Sequence, residues 1–261
     1  PAIGGFLISI TDTSLIFFIC GIGFFCMMTV LLTLEVRQDN HANDAPWYEF
    51  KEGVKFVLHH RLFLTLILLS WISMFFGTSY VQIMPLFAEM LQSGERGYGL
   101  LISATGVGSI IGNLFISRYQ QSRKLGIMML SCAAMAPCSL IGFSLVTWIL
   151  ADTAGAFWMA CCFAILTAAL SSVFLVSSMT VLQIKVPDAF RGRVMGIHSI
   201  TFSMISLGGL AAGALAAQFS APVAVVIGAF VVLSSVTWVV FKVREISNLD
   251  LNQQSKHTKL F

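Results

Sequence analysis

The residues able to do chemistry in this 261-residue chain are few and confined to a few places. The stretch VPDAFRGRVMG, Val186 to Gly196, gathers Asp188, Arg191 and Arg193 between two runs, Thr153–Ile184 and Val194–Phe241, that contain no Lys, Arg, Asp or Glu. A carboxylate near a helix N-terminus is favoured by the backbone dipole. Guanidinium groups beside it can pair with a neighbouring carboxylate in one conformation and release it in another. The simpler use of the same arginines is to anchor topology. A second set is made of hydroxyls and amides. Thr167, Ser171 and Ser178 fall at i, i+4 and i+11 on one side of their run, with Phe174. Trp71, Thr78 and Gln82 share a face with Phe75 beside it, and Thr105 and Asn113 are the polar positions of a third run. Such mixed faces suit a small amphiphilic molecule. Alternatively, each Ser or Thr simply bonds a carbonyl of its own helix. From these faces Gln82, Asn113, Thr167 and Ser171 are the candidate cavity residues.

Catalytic patterns are missing. The sequence has no G-x-x-x-x-G-K-[ST] phosphate loop, no H-E-x-x-H zinc site and no G-x-S-x-G nucleophile elbow. His41, His59, His60, His198 and His257 are expected in loops or near helix ends. Cys20, Cys26, Cys132, Cys138, Cys161 and Cys162 all lie in apolar runs and read as small buried hydrophobes rather than as a disulfide framework. The expectation is no enzyme, no catalytic residue, no metal and no cofactor. Net charge is +3, but the placement of the charges explains it without a nucleic-acid partner.

The elements that must hold these residues are set by composition. Hydrophobic residues are 57% and charged residues 10% of the chain, against roughly 25% charged in soluble domains. The uncharged runs exceed the roughly 20 residues of a bilayer-spanning helix, and they lack the alternation of barrel strands. The fold class is therefore an all-α polytopic membrane protein. Expected spans are Leu15–Leu34, Leu62–Ala88, about Gly97–Ser117, Leu125–Ala151, Thr153–Ile184, and two helices after Arg193 broken at Gln218–Pro222, where proline cannot continue a helix. PAIGGFLISI at the start is too short to span and reads as the end of a further helix, so the chain is expected to be a fragment: seven complete spans plus a partial one.

Of the fifteen Lys and Arg, all but Arg96 fall on alternate loops. Positive charge marks the cytoplasmic side, which predicts a multi-pass protein with a cytoplasmic C-terminus. Tyr98, Tyr119, Trp148, Trp158 and Trp238 sit near predicted interfaces, where such rings are enriched. Trp47, Phe50, Val54, Val57 and Leu58 recur at helical spacing in the long polar stretch before the second full span, which predicts a short amphipathic helix on the membrane surface. Ala104, Gly108 and Gly112, and likewise Gly209, Gly213 and Ala217, recur every fourth residue. Small faces of this kind let helices approach closely. No Asp, Glu, Lys or Arg falls near the middle of a span, so any proton-coupling residue is expected outside this chain.

Three segments carry a resemblance. Val186–Ala214 (VPDAFRGRVMGIHSITFSMISLGGLAAGALA), Pro46–Leu69 (PWYEFKEGVKFVLHHRLFLTLILL) and Pro1–Ile8 (PAIGGFLI) are similar to the enterobactin-exporter and macrolide-efflux-like branch of the major facilitator superfamily. The resemblance covers residues 1–244. It implies a twelve-helix transporter of two six-helix halves working by alternating access, with helices five to twelve present. The expected division is 1–34 as the end of the N-terminal half, 35–61 as a cytoplasmic linker with the amphipathic helix, 62–244 as the C-terminal six-helix half, and 245–261 as a cytoplasmic tail. The resemblance also implies a cavity lined by the second and fifth full spans, with the third and sixth at a moving interface containing Gly108, Gly112, Gly209 and Gly213. Arg118, Asp188, Arg191 and Arg193 would form the cytoplasmic gate. The segment GNLFISRYQQSRK has Ser117 where the family commonly carries an acid, which removes the carboxylate of a full charge relay. The implied function is efflux of small amphiphilic compounds such as siderophores or drugs through a bacterial inner membrane. Its partners would be a small-molecule substrate, the lipid bilayer and the missing N-terminal half. A non-transporting membrane module on the same scaffold, or an importer, stays open.

Overall fold

Charged residues bound each apolar run, and within lipid every backbone amide must be bonded inside its own segment, which leaves helices as the only element. The computed structural model describes residues 13–33, 46–119, 125–153 and 155–242. Pro1–Ile8, Arg123, Lys124 and the tail beyond Glu245 lie outside them. The described residues are almost wholly helical, with short turns between helices, and contain no strand.

The helices are α1 (Thr13–Thr33), α2 (Pro46–His59), α3 (Arg61–Met90), α4 (Gly94–Tyr119), α5 (Leu125–Ile149), α6 (Ala156–Lys185), α7 (Asp188–Gln218) and α8 (Ala221–Lys242). Six of them, α3 to α8, are long and apolar enough to cross a membrane; α1 is apolar over the shorter stretch Phe17–Thr33. This is an all-α membrane bundle. The end carrying Arg118, Lys185, Arg193 and Lys242 is called the basic end below.

Local chemistry fixes the junctions. Val186 is extended (φ −78°, ψ 129°) because the residue before a proline is pushed out of the helical region, so Pro187 ends α6 and starts α7 at once. Asp188 then occupies the first turn of α7. Gln218 closes α7, and Pro222 sits in the first turn of α8, where its missing N–H does no harm. The turn from α3 into α4 places Gly94 at φ +60°, which glycine adopts without penalty.

One helix departs from the sequence reading. The run Leu62–Ala88 reads as a single regular span, but α3 is α-helical only over Arg61–Ile72 and Met84–Met90. Between them lie a wide π-helical segment, Ser73–Thr78, and a tight 3-10 segment, Ser79–Ile83. Pro85 has no N–H to give the Val81 carbonyl, and its ring crowds that carbonyl, so a regular helix cannot pass through here.

The membrane helices form a ring in the order α4, α6, α5, α8, α7, α3. Lipid removes the hydrophobic drive for helix association, so close approach and hydrogen bonds hold the ring. A Cβ on Gly108 or Gly112 would overlap the carbonyl oxygens of Ile165 and Ala169 on α6, so α4 and α6 meet backbone to backbone. Polar ties cross the other contacts: Ser144 Oγ donates to the Pro222 carbonyl (2.8 Å), Thr167 Oγ1 to Ser139 Oγ (2.9 Å), and Ser139 Oγ to the Phe163 carbonyl (3.2 Å). Ser70 and Ser178 pair at 3.2 Å between α3 and α6. Two apolar cores result, one around Leu66, Met129, Leu182 and Val194 at the basic end, the other around Phe87, Leu101, Phe143 and Ala160 at the opposite end.

One expectation is corrected by burial. Of the six cysteines only Cys132 and Cys161 are buried; Cys20, Cys26, Cys138 and Cys162 are exposed on outward helix sides. The amphipathic stretch is helical as α2, but Trp47, Phe50 and Leu58 point away from the bundle. Its docking side is Gly53 and Val57: a Cβ on Gly53 would come within 2.8 Å of Arg193 Cβ, so only glycine lets α2 lie against α7.

Candidate functional site

A cavity of about 240 Å³ lies between the two cores, walled by α3, α4, α6 and α7. The broken segment of α3 contributes Thr78, Tyr80 and Val81, α4 contributes Thr105 and Ser109, α6 contributes Thr167, Ser171, Ser172 and Leu175, and α7 contributes Ile205. A second void of about 20 Å³, the space of roughly one water, adjoins it behind Met74, Thr78, Thr167 and Ser171. Proline explains its far wall as well. Pro137 inside α5 leaves the Ala133 carbonyl without its helical partner, and Ala133, Ala136 and Pro137 all line this void.

The hydroxyls of the cavity divide into two groups. Thr105 Oγ1 donates to the Ile102 carbonyl (2.7 Å) and Ser109 Oγ to the Thr105 carbonyl (3.0 Å), so both are satisfied by their own helix. Thr167 is spent on Ser139. Thr78, Tyr80, Ser171 and Ser172 line the cavity with no side-chain hydrogen bond among the described residues, which leaves four hydroxyls besides the three that are engaged. No Asp, Glu, Lys or Arg lines the cavity. It can bind a molecule by apolar contact and a few hydrogen bonds; it has no charge to pair with an ion.

The sequence-derived candidates separate in space. Thr167 and Ser171 come together in this cavity. Gln82 and Asn113 do not line it, and both are exposed. Gln82 shares a face with Trp71 and Thr78 only if 3.6 residues per turn continue through α3; the π and 3-10 segments change the phase, and the Gln82 stem packs on Gly209 instead. Asn113 lies two turns beyond Thr105, and each step of four residues rotates a helical face by about 40°. Ser109, Ser172 and Tyr80 are cavity residues that the sequence reading passed over. The Thr105–Ser109 spacing of four on α4 was the available signal.

At the basic end, Arg193 pairs with Glu52 of α2 at 2.5 Å and reaches Glu49 at 3.8 Å, while its guanidinium stands 5.6 Å from the Phe190 ring. Arg191 is tied more locally, to Asp188 one turn earlier (2.5 Å) and through Nε to the Gln183 carbonyl (2.9 Å). Arg118 is exposed at the end of α4 and has no partner among the described residues. Of the expected glycine contacts, Gly209 lies against Gln82, whereas Gly213 faces open space. Gly208 is the tighter position on α7: a Cβ there would overlap the Phe75 carbonyl oxygen at the start of the α3 break.

The comparisons with known proteins bear on the whole length. The sequence profile of a major facilitator superfamily family, described as transmembrane secretion effector, matches residues 1–260. The chain belongs to this family. No curated protein and no solved structure matches it significantly.

Proposed function

We propose that this chain is the C-terminal part of a secondary exporter that moves small, uncharged or weakly charged amphiphilic compounds out of a bacterial cell by alternating access. The supporting observation is the uncharged cavity at mid-bundle, with the free hydroxyls of Thr78, Ser171 and Ser172 among apolar walls. In this reading the basic end is cytoplasmic, by the asymmetry of Lys and Arg between loops. Thr167 and Ser171 shape the substrate site, with Gln82 and Asn113 at its approaches from the other half of the transporter. Arg193 with Glu52 and Glu49 closes the cytoplasmic side, assisted by Arg191, Asp188 and Arg118. Gly108, Gly112, Gly209 and Gly213 let α4 and α7 move against their neighbours. The partners are a small-molecule substrate, the bilayer and an N-terminal helical half; the siderophore and macrolide exporters of the superfamily are the branch it resembles.

The test is energy-dependent release of Nile red, a neutral amphiphile, from cells of an efflux-deficient host expressing the full-length protein. Ser171→Trp fills the cavity. The expected result is faster release with the parent protein and loss of that gain with Ser171→Trp at equal amounts in the membrane. Equal release rates for Ser171→Trp and parent would remove the cavity from the path.

A further inference from the structure

His198 is expected near a helix end, and it lies deeper than that. It lies in the third turn of α7 and is 2% exposed; Thr201, one turn on, is 0% exposed. His198 Nε2 and Thr201 Oγ1 have no hydrogen-bond partner, and the indole N–H of Trp71 on α3 is the third atom in this condition. Among the described residues these are the only buried side-chain N or O atoms left unpaired. All three belong to α3 and α7, which pack on one another. Within a bilayer no bulk water relieves such groups, so unpaired polar atoms there mark a place that is wet in another state.

Spacing says where that place leads. His198, Thr201 and Ile205 stand at i, i+3 and i+7, on one face of α7, and Ile205 is cavity wall. The cavity face of α7 therefore continues toward the basic end as Thr201 and then His198. Five residues before His198, Arg193 holds Glu52 and Glu49 and closes that end. The charge around His198 is sparse. α2 brings Glu49 and Glu52, both engaged by Arg193, besides Tyr48, Lys51, Lys55 and His59 on its exposed side. α3 carries no charge between Arg61 and Glu89, α6 none before Lys185, and α8 none before Lys242. Among the described residues of the spans, His198 is the one imidazole inside a membrane helix.

We propose that Trp71, Thr201 and His198 line the basic-end half of the transport path, shut while Arg193 holds Glu52, and that His198 takes up a proton when this half opens and so favours the open state at low pH. When this half opens, water reaches the three orphan groups and His198 Nε2 accepts a proton from it, giving an imidazolium that is stable only while hydrated. Closure returns that proton to the same water, so none crosses the membrane on His198 and the group acts on the open–shut balance alone. The inference rests on the transporter reading and adds a pH-sensitive residue to its basic-end gate.

The test uses full-length protein with its native cysteines replaced, in inverted and right-side-out vesicles, and the membrane-impermeant thiol reagent MTSET. Thr201→Cys reports the path and Ser171→Cys the cavity. Rates are taken as the ratio of the two, about one pH unit either side of the ordinary imidazole value of about 6.5, which removes the thiol's own pH dependence. Thr201→Cys is expected to react from the basic-end side, with the ratio rising at least about threefold at the lower pH as protonation favours the hydrated state. His198→Gln and, as a second neutral replacement, His198→Asn should leave Thr201→Cys reactive and the ratio flat. An inert Thr201→Cys beside a reactive Ser171→Cys overturns the path. The same pH dependence without His198 overturns the proton site. A Ser171→Cys inert from both sides overturns the transporter reading itself, and this inference with it.

Discussion

The glycines of α4 and α7 allow one substitution to be tested with opposite expected signs. A Cβ on Gly108 would lie 2.9 Å from the Ile165 carbonyl carbon, and one on Gly112 would lie 3.0 Å from that of Ala169, each overlapping the carbonyl oxygen besides. Carbon atoms in contact prefer about 3.5–4.0 Å, so Gly108→Ala must push α4 away from α6 by about half an ångström. The obstacle is backbone, and no rotamer change can absorb it. Overpacking of this kind costs about 1–3 kcal/mol. Gly108→Ala with Gly112→Ala should cost less than the two losses added, since one withdrawal of α4 relieves both clashes. Nothing lies within 4 Å of a Cβ on Gly213. The same change there should stabilise by up to about 1 kcal/mol through helix propensity alone. Equilibrium unfolding of the purified protein in mixed micelles, with increasing SDS, reads both. A Gly108→Ala protein as stable as its parent would refute the backbone contact; a loss at Gly213 matching that at Gly108 would refute the use of Cβ clearance to rank these sites.

Two further outcomes can be read by the same unfolding. Thr167→Val keeps the shape of the side chain and removes its bond to Ser139, with an expected loss of about 0.5–1.5 kcal/mol; Ser171→Val removes no internal bond and should stay within about 0.5 kcal/mol of parent, so equal losses would contradict the division of cavity hydroxyls. Glu52→Gln leaves Arg193 with Glu49 at 3.8 Å, and because the Arg193 and Glu52 side chains are 27% and 42% exposed, the loss should be about 0.5 kcal/mol or less and should vanish in high salt; a larger, salt-independent loss would show that the pair is structural.

Much of the architecture was legible because charge is so scarce. Lys185 marks a helix end in the sequence, and α6 ends on it. Gln218–Pro222 marks the break between α7 and α8 for the same local reason that makes it one. Positions inside the bundle were less legible because a regular 3.6-residue period was assumed throughout. Pro85 interrupts that period in α3, which removes Gln82 from the face of Thr78. Gly208, Gly209 and Gly213 are equivalent as residue types; only the path of α3 past them decides that Gly208 meets a carbonyl and Gly213 meets nothing. The start of α7 was read too late because the charges before Val194 read as a loop, whereas α7 begins at Asp188 and carries those charges on its first two turns, which sets His198 in the third.

The confinement of charge to the ends of the helices also bears on voltage. From Leu62 to Ala88, Gly97 to Ser117, Leu125 to Ala151, Thr153 to Ile184 and Val194 to Phe241 the chain has no Asp, Glu, Lys or Arg. Moving one elementary charge through 100 mV involves about 2.3 kcal/mol. Rearranging helices that carry no fixed charge through the field involves none. Any current that accompanied a cycle through these helices would belong to what they carry. Charge displacement recorded on a solid-supported membrane would therefore count what is carried, and the protein itself would be electrically silent.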